Sequence, residues 1–105
     1  MSEDTQMTVA KTILAQLGGN RFVQMTSAKD FSGGPDCLMF RLPAASTKHR
    51  ANAMRIYLDP TDSYRLELVK VTRAKGPEVV DKREMIYAEQ LQSIFTDMTG
   101  LYTRL

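Results

Sequence analysis

The segment 53–59 constrains the fold most, because its side chains alternate in polarity along the chain. Its apolar members, every second residue, are Met54, Ile56 and Leu58. This period of two is typical of a strand that buries one face. An Asp-Pro-Thr-Asp turn sequence follows, and a second strand-like segment then runs to Thr72. Residues 53–72 therefore predict an antiparallel β-hairpin.

Helical spacing of apolar residues occurs near each end of the chain. The spacing predicts one helix over about 6–17, which the pair Gly18-Gly19 would end, and another over 88–99, which Gly100 would end. The apolar residues that define the two stripes are Met7, Ala10, Ile13, Leu14 and Leu17, and Leu91, Ile94, Phe95 and Met98.

Three further segments have strand character. Residues 21–26 and 37–42 are rich in aromatic, β-branched and other apolar residues, and the stretch between them carries the turn sequence Gly-Gly-Pro-Asp. Residues 78–84 are predicted to form a short edge strand, because their charges discourage pairing with another sheet.

These elements predict an α+β fold with an antiparallel sheet of four to five strands and an N-terminal and a C-terminal helix. We expect both helices to pack on one face of the sheet, which makes two layers. The alternative is one helix on each face, which makes three layers and buries both sides of the sheet.

The chain has 105 residues, so residues 1–105 are predicted to form a single domain. No stretch approaches the roughly 18 consecutive apolar residues that a membrane span requires. The first residues are polar and acidic, unlike a secretory signal, and one cysteine cannot form a disulfide within the chain. We therefore expect a soluble cytoplasmic protein that does not bind membranes.

The sequence contains no recognisable catalytic or metal-binding motif. His49 is the only histidine, and its neighbours are Lys48 and Arg50 rather than acidic residues. Cys37 lies within a predicted strand, where a thiol is more often buried than reactive. One cysteine and one histidine cannot complete a structural zinc site. We therefore expect no enzymatic activity, no metal and no cofactor; an enzyme with an unfamiliar site is the remaining alternative.

A candidate binding surface lies on the side of the sheet opposite the predicted core. The helices are expected to cover Leu38, Phe40, Leu42, Met54, Ile56, Leu58, Leu66 and Leu68. Alternation then places on the other face Met39, Arg41, Arg55, Tyr57, Arg65, Glu67 and Val69. Arginine and tyrosine are enriched at the hot spots of protein interfaces. The predicted binding residues are Arg41, Arg55, Tyr57 and Arg65, together with Lys48, His49 and Arg50 of the neighbouring loop. The alternative is an ordinary solvated face.

The charge distribution adds a second hypothesis. The net charge is +2, but residues 41–83 carry ten basic and five acidic residues between two weakly acidic ends. Arginines beside an aromatic ring also suit phosphates and stacked bases. A nucleic-acid-binding accessory protein is therefore the alternative to a protein-binding module.

Two segments carry a family resemblance, namely LAQLGGNRFVQMTSAKDF at 14–31 and YAEQLQSIFTDMTGLYTRL at 87–105. They resemble small proteins encoded by bacteriophages and other bacterial mobile elements. The resemblance implies no catalytic residue, but it implies a setting in which small proteins often inhibit host machinery. We therefore expect a non-enzymatic protein that binds a host or phage protein, and inhibition of a defence system such as CRISPR or restriction is one role that this setting allows. The oligomeric state is left open.

Overall fold

A computed structural model describes the backbone of residues 2–103 and the side chains of residues 8–103. The helices are α1 (Ser2–Leu17), α2 (Asn20–Thr26) and α3 (Leu91–Thr99). The strands are β1 (Lys29–Gly34), β2 (Cys37–Arg41), β3 (Ala53–Leu58), β4 (Tyr64–Thr72) and β5 (Gly76–Ile86). Three short 3₁₀ turns lie at 44–46, 48–50 and 88–90. No helix in this part of the chain is both long and apolar enough to cross a membrane.

The five strands form one sheet in the order β1-β2-β3-β4-β5, and every neighbouring pair is antiparallel. The predicted α+β class and the helices at both ends are confirmed. The predicted hairpin at 53–72 is also confirmed, because the whole of β3 pairs with β4, from Ala53↔Val69 to Leu58↔Tyr64. The edge strand β5 exists but is longer than the predicted 78–84.

The predicted strand at 21–26 is wrong, because that segment forms the helix α2. Phe22 and Thr26 lie one helical turn apart and are both buried, so helix formation buries both on one face. The Thr26 hydroxyl donates to the Phe22 carbonyl at 2.7 Å. Ser27 takes the left-handed conformation with φ of 58° and ends the helix. Tertiary packing thus overrides the strand propensity of the segment.

The first strand of the sheet, β1, lies within the stretch that the sequence predicted as a turn. β1 pairs with β2, and the partners Gly34 and Cys37 close a hairpin through the predicted Pro-Asp turn. A bulge between Lys29 and Ser32 accommodates Asp30, whose φ is 56°. The glycines and the bulge obscure the period-two pattern, so alternation does not reveal this strand.

The helices form one layer on one face of the sheet. A single apolar cluster contains inward residues of all three helices and of β2, β3 and β4. Its fully buried members include Ile13 and Leu17 of α1, Phe22 of α2, Met54 and Ile56 of β3, Leu66 and Leu68 of β4, and Phe95 and Met98 of α3. The described chain is therefore a two-layer structure, and the opposite face of the sheet is left open to solvent.

Gly100 ends α3 in the left-handed region with φ of 81°. An added Cβ would meet the Lys48 Cγ at 3.5 Å, an ordinary contact, so the glycine is required by conformation rather than by space. We expect Gly100→Ala to lower the free energy of unfolding by about 1 kcal/mol, since left-handed backbone costs roughly that for alanine. Urea unfolding measures it. Gly100→Asn, which tolerates this conformation, is expected to cost less than half as much; equal losses would contradict the conformational explanation.

Candidate binding site on the open sheet face

The open face consists of the outward side chains of the three central strands, in the register that alternation predicts. Arg41 of β2 pairs with Ala53 of β3, which pairs with Val69 of β4. One row along, Met39 pairs with Arg55, which pairs with Glu67, and then Tyr57 pairs with Arg65. The predicted outward set therefore shares one face, although Val69 is only 2% exposed.

Two arginines of this face are neutralised within the fold. The Arg65 Nη1 donates to the Glu67 Oε2 at 3.1 Å, and its Nε lies 3.7 Å from the Asp59 Oδ1. The Arg65 guanidinium carbon also lies 4.3 Å from the centre of the Tyr57 ring, within the range of a cation–π contact. The Arg65 guanidinium thus contacts two acidic side chains, Asp59 and Glu67, and the face of the Tyr57 ring.

Arg55 approaches the same carboxylate from the neighbouring strand. Its Nε lies 3.2 Å from the Glu67 Oε1, within ion-pair distance. This buried Nε nevertheless makes no hydrogen bond among the described residues. We treat the contact as electrostatic, because the separation is short whatever the angle. Glu67 is therefore shared by two arginines and is only 13% exposed.

Arg41 stands apart from this cluster. It is exposed at the end of β2, and within residues 8–103 no carboxylate lies within ion-pair distance of it. Its register partner on β1 is Lys29, which is also exposed. Like charges directly opposite each other in an antiparallel pair destabilise a sheet. Of the three arginines predicted on the sheet face, Arg41 is thus the one without an acidic partner in the described chain.

A groove of about 290 Å³ lies beside Arg41 on the open face. Its apolar lining comes from Met39, Ala53, Val69, Val71 and Pro77. Its polar lining comes from Asp30, Ser32, Arg41 and Arg55. Ala53 has the smallest side chain of the three paired residues Arg41, Ala53 and Val69. A depression therefore lies over Ala53 in the floor of the groove.

Sequence reasoning did not identify the contribution of the β4–β5 hairpin. Val71 continues the outward side of β4 beyond Val69 and is 37% exposed, and Val79 of β5 is 45% exposed. Pro77 pairs with Val71 in the sheet register. The alternation of Val69 and Val71 along β4 was a sequence signal that Val71 faces outward. Which residues of β4 pair with Pro77 and Val79 could not be predicted in the same way, because that register depends on the bulge opposite Val69.

Lys48, in the loop between β2 and β3, contacts the end of α3. The Lys48 ammonium donates to the Asp97 carbonyl at 2.8 Å, and its stem lies beside Gly100 at the end of α3. A cation at a helix C-terminus is stabilised by the helix dipole. Lys48 therefore belongs to the helical layer. His49 and Arg50 are exposed in the same loop, and their role in binding stays a prediction.

Other basic residues of the central segment are also engaged. The Arg83 Nη1 lies 2.9 Å from the Asp97 Oδ2, which ties β5 to α3. Hydrogen bonds to Asp81 and Asp97 raise the pKa of the Arg83 guanidinium, so it stays charged. Lys82 pairs with Glu84 at 3.1 Å. Four of the ten basic residues of 41–83 thus form ion pairs within the described chain, namely Arg55, Arg65, Lys82 and Arg83.

Cys37 is buried and free. Within the described residues, no group of three or more His, Cys, Asp or Glu side chains is arranged to hold a metal ion. Comparison with known proteins adds no relative: no family model, curated protein or solved structure matches this chain.

Proposed function

We propose that this protein is a non-enzymatic binding module whose open sheet face contacts a protein partner. The observation that carries the proposal is the groove beside Arg41, because it joins an apolar floor to an exposed guanidinium without a carboxylate partner in the described chain. Protein interfaces typically combine an apolar centre with a polar rim, and arginine is a frequent hot-spot residue.

The proposed setting is the cytoplasm of a bacterium, with a host protein as partner and inhibition of a defence system such as CRISPR or restriction as the role. The resemblance of segments 14–31 and 87–105 to proteins of bacteriophages and mobile elements motivates this choice of partner. The buried free thiol of Cys37 suits a reducing compartment.

The nucleic-acid hypothesis receives less support from the contacts. Nucleic-acid affinity depends on cations that can neutralise phosphates. Arg55 and Arg65 share Glu67, and Lys48 is bound to a helix terminus. The basic residues of 41–83 that form neither of these contacts nor an ion pair within the described residues are Arg41, Arg50, Lys70, Arg73 and Lys75.

The proposal is tested by comparing what two variants capture from a bacterial lysate after nuclease treatment. The face variant Arg41→Glu with Val71→Glu places two acids at the groove. The control variant Lys11→Glu with Gln24→Glu changes exposed positions of α1 and α2. We expect a defined protein to be retained by the wild type and the control, and purified partner to bind the face variant at least tenfold more weakly, about 1.4 kcal/mol.

Folding of both variants is checked by their thermal unfolding. A purified partner that binds the folded face variant as tightly as the wild type would refute the open face as the contact surface. Capture that disappears for every form after nuclease treatment would instead favour the nucleic-acid hypothesis.

A further inference from the structure

The groove on the open face has the size and charge of an anchor site for one kind of partner segment. Its volume of about 290 Å³ is at the lower limit of pockets for small molecules, which span roughly 300–1,000 Å³. It lies on a sheet surface rather than in a cleft between elements, so a bound metabolite would remain largely in water. A single large side chain presented by another protein fits this shape better.

The floor of the groove determines what kind of side chain enters. Val69 and Ala53 form neighbouring positions of the floor, with Met39 on β2 and Pro77 on β5 also in the lining. Burying an apolar side chain there removes exposed apolar surface on both partners, which is favourable by about 25 cal/mol per Å². A polar side chain would lose its water without gaining hydrogen bonds.

The rim determines the charge beside that side chain. Arg41 and Lys29 are register partners with the same charge, and within the described residues neither forms an ion pair. Arg41 and Asp30 line the groove, whereas Lys29 lies beside Arg41 outside the lining, so the two cations outnumber the one acid at this end of the groove. A carboxylate placed between Arg41 and Lys29 would relieve their repulsion and accept charge-assisted hydrogen bonds.

We propose that the groove binds an extended segment of a partner protein in which a large apolar side chain is followed by a carboxylate. The apolar side chain fills the depression over Ala53, and the carboxylate pairs with Arg41 and Lys29. This inference rests on the proposed function, since it names the chemistry that the open face recognises.

The test uses three blocked tetrapeptides as probes: Thr-Phe-Glu-Thr, Thr-Phe-Lys-Thr and Thr-Ala-Glu-Thr. Binding to the full chain is followed by NMR through the methyl groups of Met39, Ala53, Val69 and Val71. We expect the Phe-Glu peptide to bind roughly tenfold more tightly than each of the others, because a hydrogen bond to a charged group and a filled apolar site are each of that order.

Two variants assign the selectivity to the groove. Arg41→Gln is expected to remove the roughly tenfold preference for Glu over Lys, whereas Arg73→Gln, at the exposed end of the β4–β5 hairpin, is expected to retain it. Ala53→Leu fills the depression and is expected to abolish binding of all three peptides. The control Ala15→Leu changes an exposed position of α1 and is expected to bind as the wild type does.

Equal binding of the three peptides, or a preference that survives Arg41→Gln, would overturn the inference. Absence of peptide binding would also overturn it, including when the face variant, Arg41→Glu with Val71→Glu, still binds a purified partner more weakly than the wild type does. That last combination leaves the proposed function standing, so the two failures are distinguishable.

Discussion

Replacing Phe22 with alanine is expected to lower the free energy of unfolding by about 3–5 kcal/mol, the range for deleting a buried aromatic side chain. Phe22 is fully buried and joins three elements of the fold. Its ring packs edge-on against two others. The distance between ring centres is 5.1 Å to Phe95 of α3 and 5.5 Å to Phe40 of β2. Such pairs contribute roughly 0.5–1.5 kcal/mol beyond the area they bury.

The loss is large relative to the whole stability of a domain, which is about 5–15 kcal/mol. Thermal unfolding is therefore expected to shift downward by on the order of 15 °C. The matched control is Phe31→Ala, because Phe31 is only partly buried and its ring lies 5.4 Å from the Phe40 ring. We expect the control to cost about 1–2 kcal/mol. Equal costs at the two positions would show that Phe22 is not the centre of the core.

Replacing Glu67 with glutamine is expected to lower the free energy of unfolding more than any other change on the open face. The substitution keeps the shape but removes the charge that Arg55 and Arg65 share. Hydrogen bonds to charged groups contribute about 1.5–3 kcal/mol, and the two arginines, 32% and 30% exposed, recover part of that from water. We expect a loss of about 2 kcal/mol in urea unfolding.

Glu84→Gln is the matched control, because Glu84 also pairs with a cation of the sheet but is 57% exposed. Its loss is expected to stay below about 0.5 kcal/mol, as for most surface ion pairs. A Glu67 variant that unfolds like the Glu84 variant would contradict the shared-carboxylate interpretation.

The same Glu67 variant tests the nucleic-acid hypothesis for the open face. Loss of the carboxylate leaves Arg55 without an acidic partner in the described chain, while Arg65 keeps only Asp59, at 3.7 Å. We expect weak binding of single-stranded DNA to appear at low salt and to fall steeply as salt is added, with a slope that grows by roughly one phosphate contact, that of Arg55. Wild type that already binds DNA as strongly as the variant would favour the nucleic-acid hypothesis.

The candidate site could be predicted in part from alternation. Arg41, Arg55, Tyr57 and Arg65 share a face because side chains alternate strictly along paired strands, and the hairpin at 53–72 sets the register of two of those strands. Which of them are available to a partner could not be predicted. That depends on cross-strand distances, which place Glu67 between two arginines and leave Arg41 unpaired within the described chain.

The errors concern segments whose local preferences are weak or contradictory. The segment 21–26 has strand-forming residues but lies next to Phe40 and Phe95, and burying Phe22 against them requires a helix there. β1 contains two glycines and a bulge, so its pairing with β2 rather than its own pattern makes it a strand. The contact of Lys48 with the end of α3 could not be predicted either, because it spans 49 positions of the chain.

The sequence by itself determined the α+β class, the central hairpin, the ends of α1 and α3 at glycines and the face on which each central side chain lies. These features depend on the periods of local backbone geometry, which neighbouring residues express directly. Only the tertiary structure decided that all three helices cover one face, that Arg55 and Arg65 are neutralised, and that a groove opens over Ala53. The physical reason is that packing and charge pairing act between residues distant in the chain, where no local pattern records the partner.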